Sequence, residues 1–263
     1  MVEIAQMIAL GIDVGGSGVK GAPVDLATGE FVADRHRIKT PRPATPESVI
    51  DTIVAIVEHH RWDGPVGVAL PAVVEDGVAQ TAANIDDAWI GFDARSSISA
   101  ALGTPVTVIN DADAAGLAEA RYGAAKGHPG VCLLLTFGTG IGSALIVDGV
   151  LVPNTELGHL EFRGMQAEQY AAGRLVERDN MDIDWWALRV NELLQHLDLV
   201  LSPHTVVFGG GISKRFEEYA DVFDTHAEII PARLRNNAGI VGAAIAAEAI
   251  AIEAIAPEDR IKT

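Results

Sequence analysis

The sequence has a single cysteine and roughly half as many basic as acidic side chains, and each shortage removes a class of protein. Cys132 sits in the apolar run 131–135, so it reads as a small core residue, and neither a disulfide framework nor a cysteine-built zinc site can be assembled. Nineteen Lys plus Arg face 36 Asp plus Glu, a formal net charge of −17. That excess disfavours nonspecific nucleic-acid binding, and a polyanionic ligand would need a local basic groove. Residues 1–7 carry Glu3 and no basic region followed by an apolar stretch, so no signal peptide is expected and the expected location is the cytoplasm. The longest apolar stretch, 238–256, is Ala-rich and broken by Glu248 and Glu253, which argues for a packed helix rather than a membrane span. What the chain has is apolar mass: 49% hydrophobic residues over 263 positions, enough for one large domain or two lobes and too much for general disorder.

Apolar runs alternate with helical patterns. Residues 8–14 form a strand ending in Gly15, Gly16, Gly18 and Gly21, and an extended segment follows, turning at Ala27-Thr28-Gly29-Glu30. Thr45-Pro46 with Val49, Ile50, Ile53, Val54 and Val57 predicts a helix to about residue 60. Strands at 66–70 and 106–109 bracket a helix near 96–102, and an Ala-rich helix runs over about 112–122. Residues 123–130 read as a linker or exposed loop. The run 131–137 fits a strand buried on both faces. It too ends in glycines, Gly138, Gly140 and Gly142, followed by an extended segment and the turn Asp148-Gly149. Gly138 lies 123 residues after Gly15, close to half the chain, so an internal duplication is the economical reading. A helix carrying Trp185, Trp186, Leu188, Val190, Leu193, Leu194 and Leu197 precedes a third strand, 205–208, that ends in Gly209-Gly210-Gly211.

Gly16 to Gly21 formally fits a dinucleotide fingerprint, but that fingerprint needs a helix after the turn, and both copies here run into a strand. No stretch matches a P-loop. A glycine hairpin can instead expose successive backbone N–H groups to phosphate oxygens, and two hairpins from a duplicated fold can hold a phosphate chain. Two ordinary glycine turns are the plainer alternative. Polar Asp13, Ser17, Thr136 and Thr139 beside both loops favour the phosphate reading. Asp13 could hold a magnesium ion through water or form an Asx turn. Lys20 could meet a phosphate or simply be solvated. Asn110-Asp111 opens the Ala-rich helix, where the helix dipole keeps a carboxylate ionised. Asp111 is thus a candidate proton acceptor or a routine cap.

Taken in order, Gly11-Ile12-Asp13-Val14-Gly15-Gly16-Ser17, Asn110-Asp111-Ala112-Asp113-Ala114-Ala115, Phe137-Gly138-Thr139-Gly140-Ile141-Gly142, Glu156-Leu157-Gly158-His159 and Phe208-Gly209-Gly210-Gly211-Ile212-Ser213 resemble the ROK sugar kinases of the actin-like ATPase superfamily. The runs 153–161 and 236–244 are similar to those of the polyphosphate-using branch of that family. The resemblance implies an α/β, two-lobed actin-like (ribonuclease H-like) fold with a duplicated domain and a central cleft. The boundaries expected are 1–109 as the smaller N-terminal lobe, joined by a C-terminal helix 245–263, and 110–244 as the larger lobe. It implies Asp111 as general base and a sugar pocket of Asn84, Asn110, Asp111, Glu156, His159 and Glu168. The donor phosphates would lie on Asp13, Gly15, Gly16, Ser17, Gly18, Lys20, Thr136, Gly138, Thr139, Gly140 and Gly142, with Gly209, Gly210 and Gly211 approaching a nucleoside and Mg2+ at Asp13. Carboxylates, amides and an imidazole suit a ring of hydroxyls that each donate and accept.

Three departures from the family pattern follow. No cysteine occurs in 160–168, so the zinc of many ROK proteins is not expected. No DNA-binding segment precedes the first strand, so a repressor role is not expected, and Pro71-Ala72 stands where the family usually has Pro-Gly. The implied reaction moves the terminal phosphoryl group of polyphosphate, and of ATP, to the 6-hydroxyl of glucose, with mannose a further candidate acceptor. Arg35, Arg37, Lys39 and Arg42, with Lys126, are candidates for a track that guides a long polyanion. The competing readings are an ATP-only hexokinase, a nicotinamide oxidoreductase and a noncatalytic actin-like protein. No nucleic-acid or membrane partner is expected, and the working form is a monomer or a homodimer.

Overall fold

The computed structural model describes residues 7–250. The chain forms two compact units, 1–114 with 239–263, and 115–238.

The first unit is built on strands β1 (Ile8–Gly15), β2 (Gly18–Asp25), β3 (His36–Ile38), β4 (Val66–Leu70) and β5 (Val106–Asn110). Their order in the sheet is β3-β2-β1-β4-β5, an antiparallel meander extended by two parallel strands. Helix α1 (Pro46–His60) starts where expected: the Thr45 hydroxyl accepts the Ser48 N–H, Pro46 needs no donor of its own, and Arg61 ends it in the left-handed region at φ 49°. Val49, Ile53 and Ile56 recur at helical spacing and are buried with Leu10, Ile12 and Val19 of the sheet. Helices α2 (Ala94–Leu102) and α3 (Asp111–Tyr122) flank β5.

The second unit repeats this plan. Strands β6 (Val131–Phe137), β7 (Ile141–Val147), β8 (Val150–Val152), β9 (Thr205–Gly209) and β10 (Glu228–Pro231) lie in the order β8-β7-β6-β9-β10. The pairing senses match those of the first sheet strand for strand, the topological form of the duplication expected from the glycine loops. Most of the scarce aromatic residues gather here: Phe137 stacks on Phe208 with ring centres 4.4 Å apart, and Trp186 of α4 (Ile183–Leu201) meets Phe137 and Tyr219 edge-on.

The unit boundaries differ from the expected 109/110 and 244/245, and close packing explains why. Helix α5 (Ala238–Ala246) crosses the first sheet so tightly that a Cβ on Gly11 would overlap the Ile240 carbonyl, and one on Gly67 the Ala243 carbonyl. The helix therefore joins the first unit from Gly239 onward. Gly242 likewise lies against the Ala114 carbonyl, which binds the first turn of α3 to the same unit. Beyond residue 250 the expected C-terminal helix lies outside the described residues. Among the described residues no helix is long and apolar enough to cross a membrane.

Candidate active site

In the first unit the phosphate-loop candidates form one tight hairpin. Gly15 pairs with Gly18 and the turn is Gly16-Ser17. The glycines are there for space: a Cβ on Gly18 would come 2.5 Å from the Arg37 Nε, and one on Gly16 3.3 Å from the Asn84 Cβ. Asn84, held at φ 63° and exposed, is thereby placed at the turn. Arg37 donates to the Ser17 carbonyl at 2.7 Å and the buried Thr40 hydroxyl to the Gly15 carbonyl at 2.5 Å. Asp13 and Lys20 face each other across β1 and β2, with Nζ and Oδ2 3.1 Å apart. The Lys20 charge is thus held on Asp13. Gly239, at the start of α5, lies so close that its Cβ would be 3.0 Å from the Asp13 Cγ, so the positive end of that helix faces the carboxylate.

Asn110 and Asp111 divide the work at the junction of β5 and α3. The Asn110 Oδ1 accepts the N–H groups of Ala112 and Asp113 at 2.8 and 3.0 Å, and its Nδ2 donates to the Ala72 carbonyl at 3.0 Å. Asn110 is therefore the helix cap, and it is buried. The half-buried Asp111 takes the Ala112 N–H on Oδ1 at 2.8 Å. Ala72, in place of a glycine, is accommodated because its φ is not positive.

In the second unit the turn Gly138-Thr139-Gly140 joins β6 to β7, with Gly142 opposite Thr136. The Gly138 N–H donates to the Gly140 carbonyl at 3.0 Å. Arg174 reaches the turn twice: its backbone N–H donates to the Gly138 carbonyl at 2.9 Å and its guanidinium to the Thr139 carbonyl at 2.6 Å. A Cβ on Gly140 would strike the Glu168 carboxylate, so Glu168 lies at this turn as Asn84 lies at the first. Glu168 rides on the short helix Ala167–Ala171, whose end is fixed by the buried Trp186 indole N–H donating to the Ala171 and Ala172 carbonyls at 2.9 and 3.1 Å.

Glu156 and His159 sit one turn apart, with Oε2 and Nδ1 3.9 Å from each other. Burial pushes the Glu156 carboxyl above its ordinary value; His159 opposes that shift and the Glu168 charge adds to it. The three expected sugar residues of this unit therefore share one electrostatic environment. Gly158 between them packs directly on the Ile141 carbonyl. One residue that the sequence did not single out holds this segment in place: Ser143, buried in β7, donates to the Thr155 carbonyl and accepts the Leu157 N–H at 2.9 Å, bracketing Glu156. Its β-strand pattern concealed that role.

The third glycine loop follows β9. Gly209 pairs with Thr136, Gly210 adopts φ +88° against the Phe137 backbone, and Gly211 approaches Glu177. The Ser213 hydroxyl donates to the Gly210 carbonyl at 2.7 Å.

Known proteins resemble this chain over most of its length. The chain is 50% identical over 242 residues to the polyphosphate glucokinase of Mycobacterium tuberculosis, covering 92% of this chain and 91% of that protein. It superposes with a TM-score of 0.88 and 47% identity on the inorganic polyphosphate/ATP-glucomannokinase of Arthrobacter sp. strain KM, over 92% of this chain and 99% of that one. A ROK family glucokinase from Streptomyces griseus, solved with glucose and AMPPNP, matches with a TM-score of 0.77 and 25% identity over 92% and 99% of the two chains. The ROK family model matches residues 9–175. With the duplicated five-stranded sheets and the glycine hairpins in place, the chain belongs to the ROK family.

Proposed function

We propose that this protein transfers the terminal phosphoryl group of inorganic polyphosphate, and of ATP, to the 6-hydroxyl of glucose. The observation that carries the reading is the 50% identity to a polyphosphate glucokinase across 92% of the chain, joined to two glycine turns whose apex carbonyls are engaged by arginines. Asp111 takes the hydroxyl proton as the sugar oxygen bonds to phosphorus, and the bridging P–O bond breaks to release ADP or a chain one phosphate shorter. With Asn110 bonding the helix amides, Asp111 acts as base rather than as the main cap. Asn84, Glu156, His159 and Glu168 bind sugar hydroxyls, whereas Asn110, expected among them, has its amide committed to the helix cap and the Ala72 carbonyl and serves to fix Asp111; mannose is a further acceptor. The hairpins hold the donor phosphates, Gly209 to Gly211 approach the nucleoside of ATP, and positioning supplies most of the acceleration.

Asp13 is the residue that would hold a Mg2+ ion, through water, beside the donor phosphates. It is one carboxylate, its charge is shared with Lys20, and no group of three metal-ligating side chains occurs among the described residues. When bound, the ion offsets charge on the donor oxygens. A long polyanion runs along Arg35, Lys39 and Arg42, which are exposed on or beside β3. Arg37 is set apart from them by its bond to the turn. Assaying glucose 6-phosphate with polyphosphate, ATP or no donor tests the reading: product from both donors is expected, and product from neither rejects it.

A further inference from the structure

We propose that Arg37 and Arg174 are positioning residues for the phosphoryl donor, each turning a carbonyl at the apex of a glycine hairpin away from the phosphates so that the turn amides face them. The inference rests on the reading that these hairpins hold the donor. A tight turn presents amides and carbonyls in alternation, and a carbonyl aimed at a phosphate repels it. An anion site made of backbone therefore needs something to hold the carbonyls.

In the first hairpin that something is Arg37, whose guanidinium bonds the Ser17 oxygen at 2.7 Å and lies over Gly18 where a Cβ would stand. In the second it is Arg174, which engages the Gly138 and Thr139 oxygens together. The Gly140 oxygen takes the Gly138 amide. Among the described residues, the N–H groups of Gly16, Ser17, Thr139 and Gly140 have no intramolecular acceptor. Occupied carbonyls at Gly15, Ser17, Gly138, Thr139 and Gly140 beside open amides give the polarity an anion requires. Each guanidinium also adds a fixed positive charge beside its turn.

The two arginines are not duplicates of each other. Arg37 comes from β3, the third strand of its meander, whereas the matching strand β8 carries only Val150, Leu151 and Val152. Arg174 comes instead from a segment after the short helix that bears Glu168, where Gly173 allows the chain to press on the Phe137 carbonyl. Two halves of one topology reach the same contact from different elements. Inheritance from a common ancestor of the halves does not account for that, and a shared requirement of the hairpins does.

The test is steady-state kinetics of Arg37→Ala, Arg37→Lys, Arg174→Ala and Arg174→Lys with ATP, polyphosphate and glucose varied in turn. The expected result is a donor KM raised about tenfold for both donors in each Ala variant, the scale of a charge-assisted hydrogen bond, with the glucose KM within about twofold of wild type. Recovery is expected in the Lys variants, and for Arg37→Ala on adding millimolar guanidinium. Donor and glucose KM values rising together with a fall in melting temperature would make the arginines merely structural and overturn the proposal, as would unchanged donor KM values. If Arg174→Ala does not fold, Arg174→Gln, which keeps a neutral donor, gives the same split. Wild-type protein that forms no glucose 6-phosphate from either donor rejects the kinase reading itself. Active wild type with indifferent variants rejects only this inference.

Discussion

The division of labour between Asn110 and Asp111 makes a sharp prediction, because one residue should govern stability and its neighbour turnover. Removing the Asn110 side chain deletes the acceptor for the Ala112 and Asp113 amides and the donor to the Ala72 carbonyl. A lost cap costs about 1 kcal/mol and a lost buried hydrogen bond about 1 kcal/mol more. For a chain of this size about 2 kcal/mol lowers the melting temperature by roughly 4–8 °C. Asp111→Asn keeps an oxygen for the Ala112 amide and keeps the Asn110 cap, so its melting temperature should stay within about 2 °C of wild type. Its kcat should fall by roughly 10²–10⁴, the usual contribution of a general base. Differential scanning fluorimetry and a coupled assay for glucose 6-phosphate measure the two effects on the same preparations. An Asp111→Asn protein that melts as low as Asn110→Ala while keeping full kcat would refute the reasoning, since Asp111 would then be the cap and not the base.

Three further outcomes follow from the same geometry. Ser143→Ala removes the bracket around Glu156, so the glucose KM should rise several-fold, the donor KM should not, and stability should fall by about 1–3 kcal/mol; equal shifts in both KM values would discount the role. The Glu156 carboxyl is raised by burial, so it binds its proton more tightly folded than unfolded, and the associated stability is present below the unfolded pKa and lost as pH rises through the folded one. Glu156→Gln should therefore gain on wild type in melting temperature as pH climbs from 4 to 7, and a difference flat with pH would contradict the assignment. In wild type the glucose KM should also rise as pH falls through that elevated value, because a protonated carboxyl loses an acceptor. Arg35→Glu combined with Lys39→Glu should raise the ratio of long-polyphosphate KM to ATP KM about tenfold at low salt, and the effect should shrink at high ionic strength; an unchanged ratio removes the track.

Much of the fold was legible because it is written in local pattern. The glycine clusters after strands 8–14 and 131–137, spaced by half the chain, announced the duplication that the two sheet orders display. Thr45-Pro46 announced α1. The roles that stayed hidden depend on contacts between residues far apart in sequence. Asn110 and Asp111 are both good cap residues, and only the bond to Ala72, 38 positions away, shows which one is committed. Arg37 looked like one of four surface cations until the β2–β3 register placed it opposite Lys20 and over the turn. The unit boundaries moved for the same reason: the Ala- and Gly-rich text of α5 does not reveal that its backbone lies on Gly11 and Gly67.

The glycines of the site show why backbone freedom alone is a poor guide to what such a sequence tolerates. Of Gly11, Gly16, Gly18, Gly67, Gly140, Gly210 and Gly239, only Gly210 has a positive φ. At Gly11 and Gly67 a helix backbone, at Gly18 a guanidinium and at Gly140 a carboxylate occupy the place of the Cβ, while at Gly16 and Gly239 the Asn84 Cβ and the Asp13 carboxylate leave it little room. A residue chosen for φ can be replaced by Asn, which visits the left-handed region. A residue chosen for space admits a Cβ only where its neighbour can move, as the Arg37 guanidinium over Gly18 can and the helix backbone on Gly11 and Gly67 cannot. Gly18→Ala should then displace Arg37 and weaken both donors as Arg37→Ala does, with little further loss when the two changes are combined, because both act on one contact. Additive losses in that double variant would mean that Gly18 and Arg37 serve the hairpin independently, and that the glycine is needed for the turn rather than for the arginine above it.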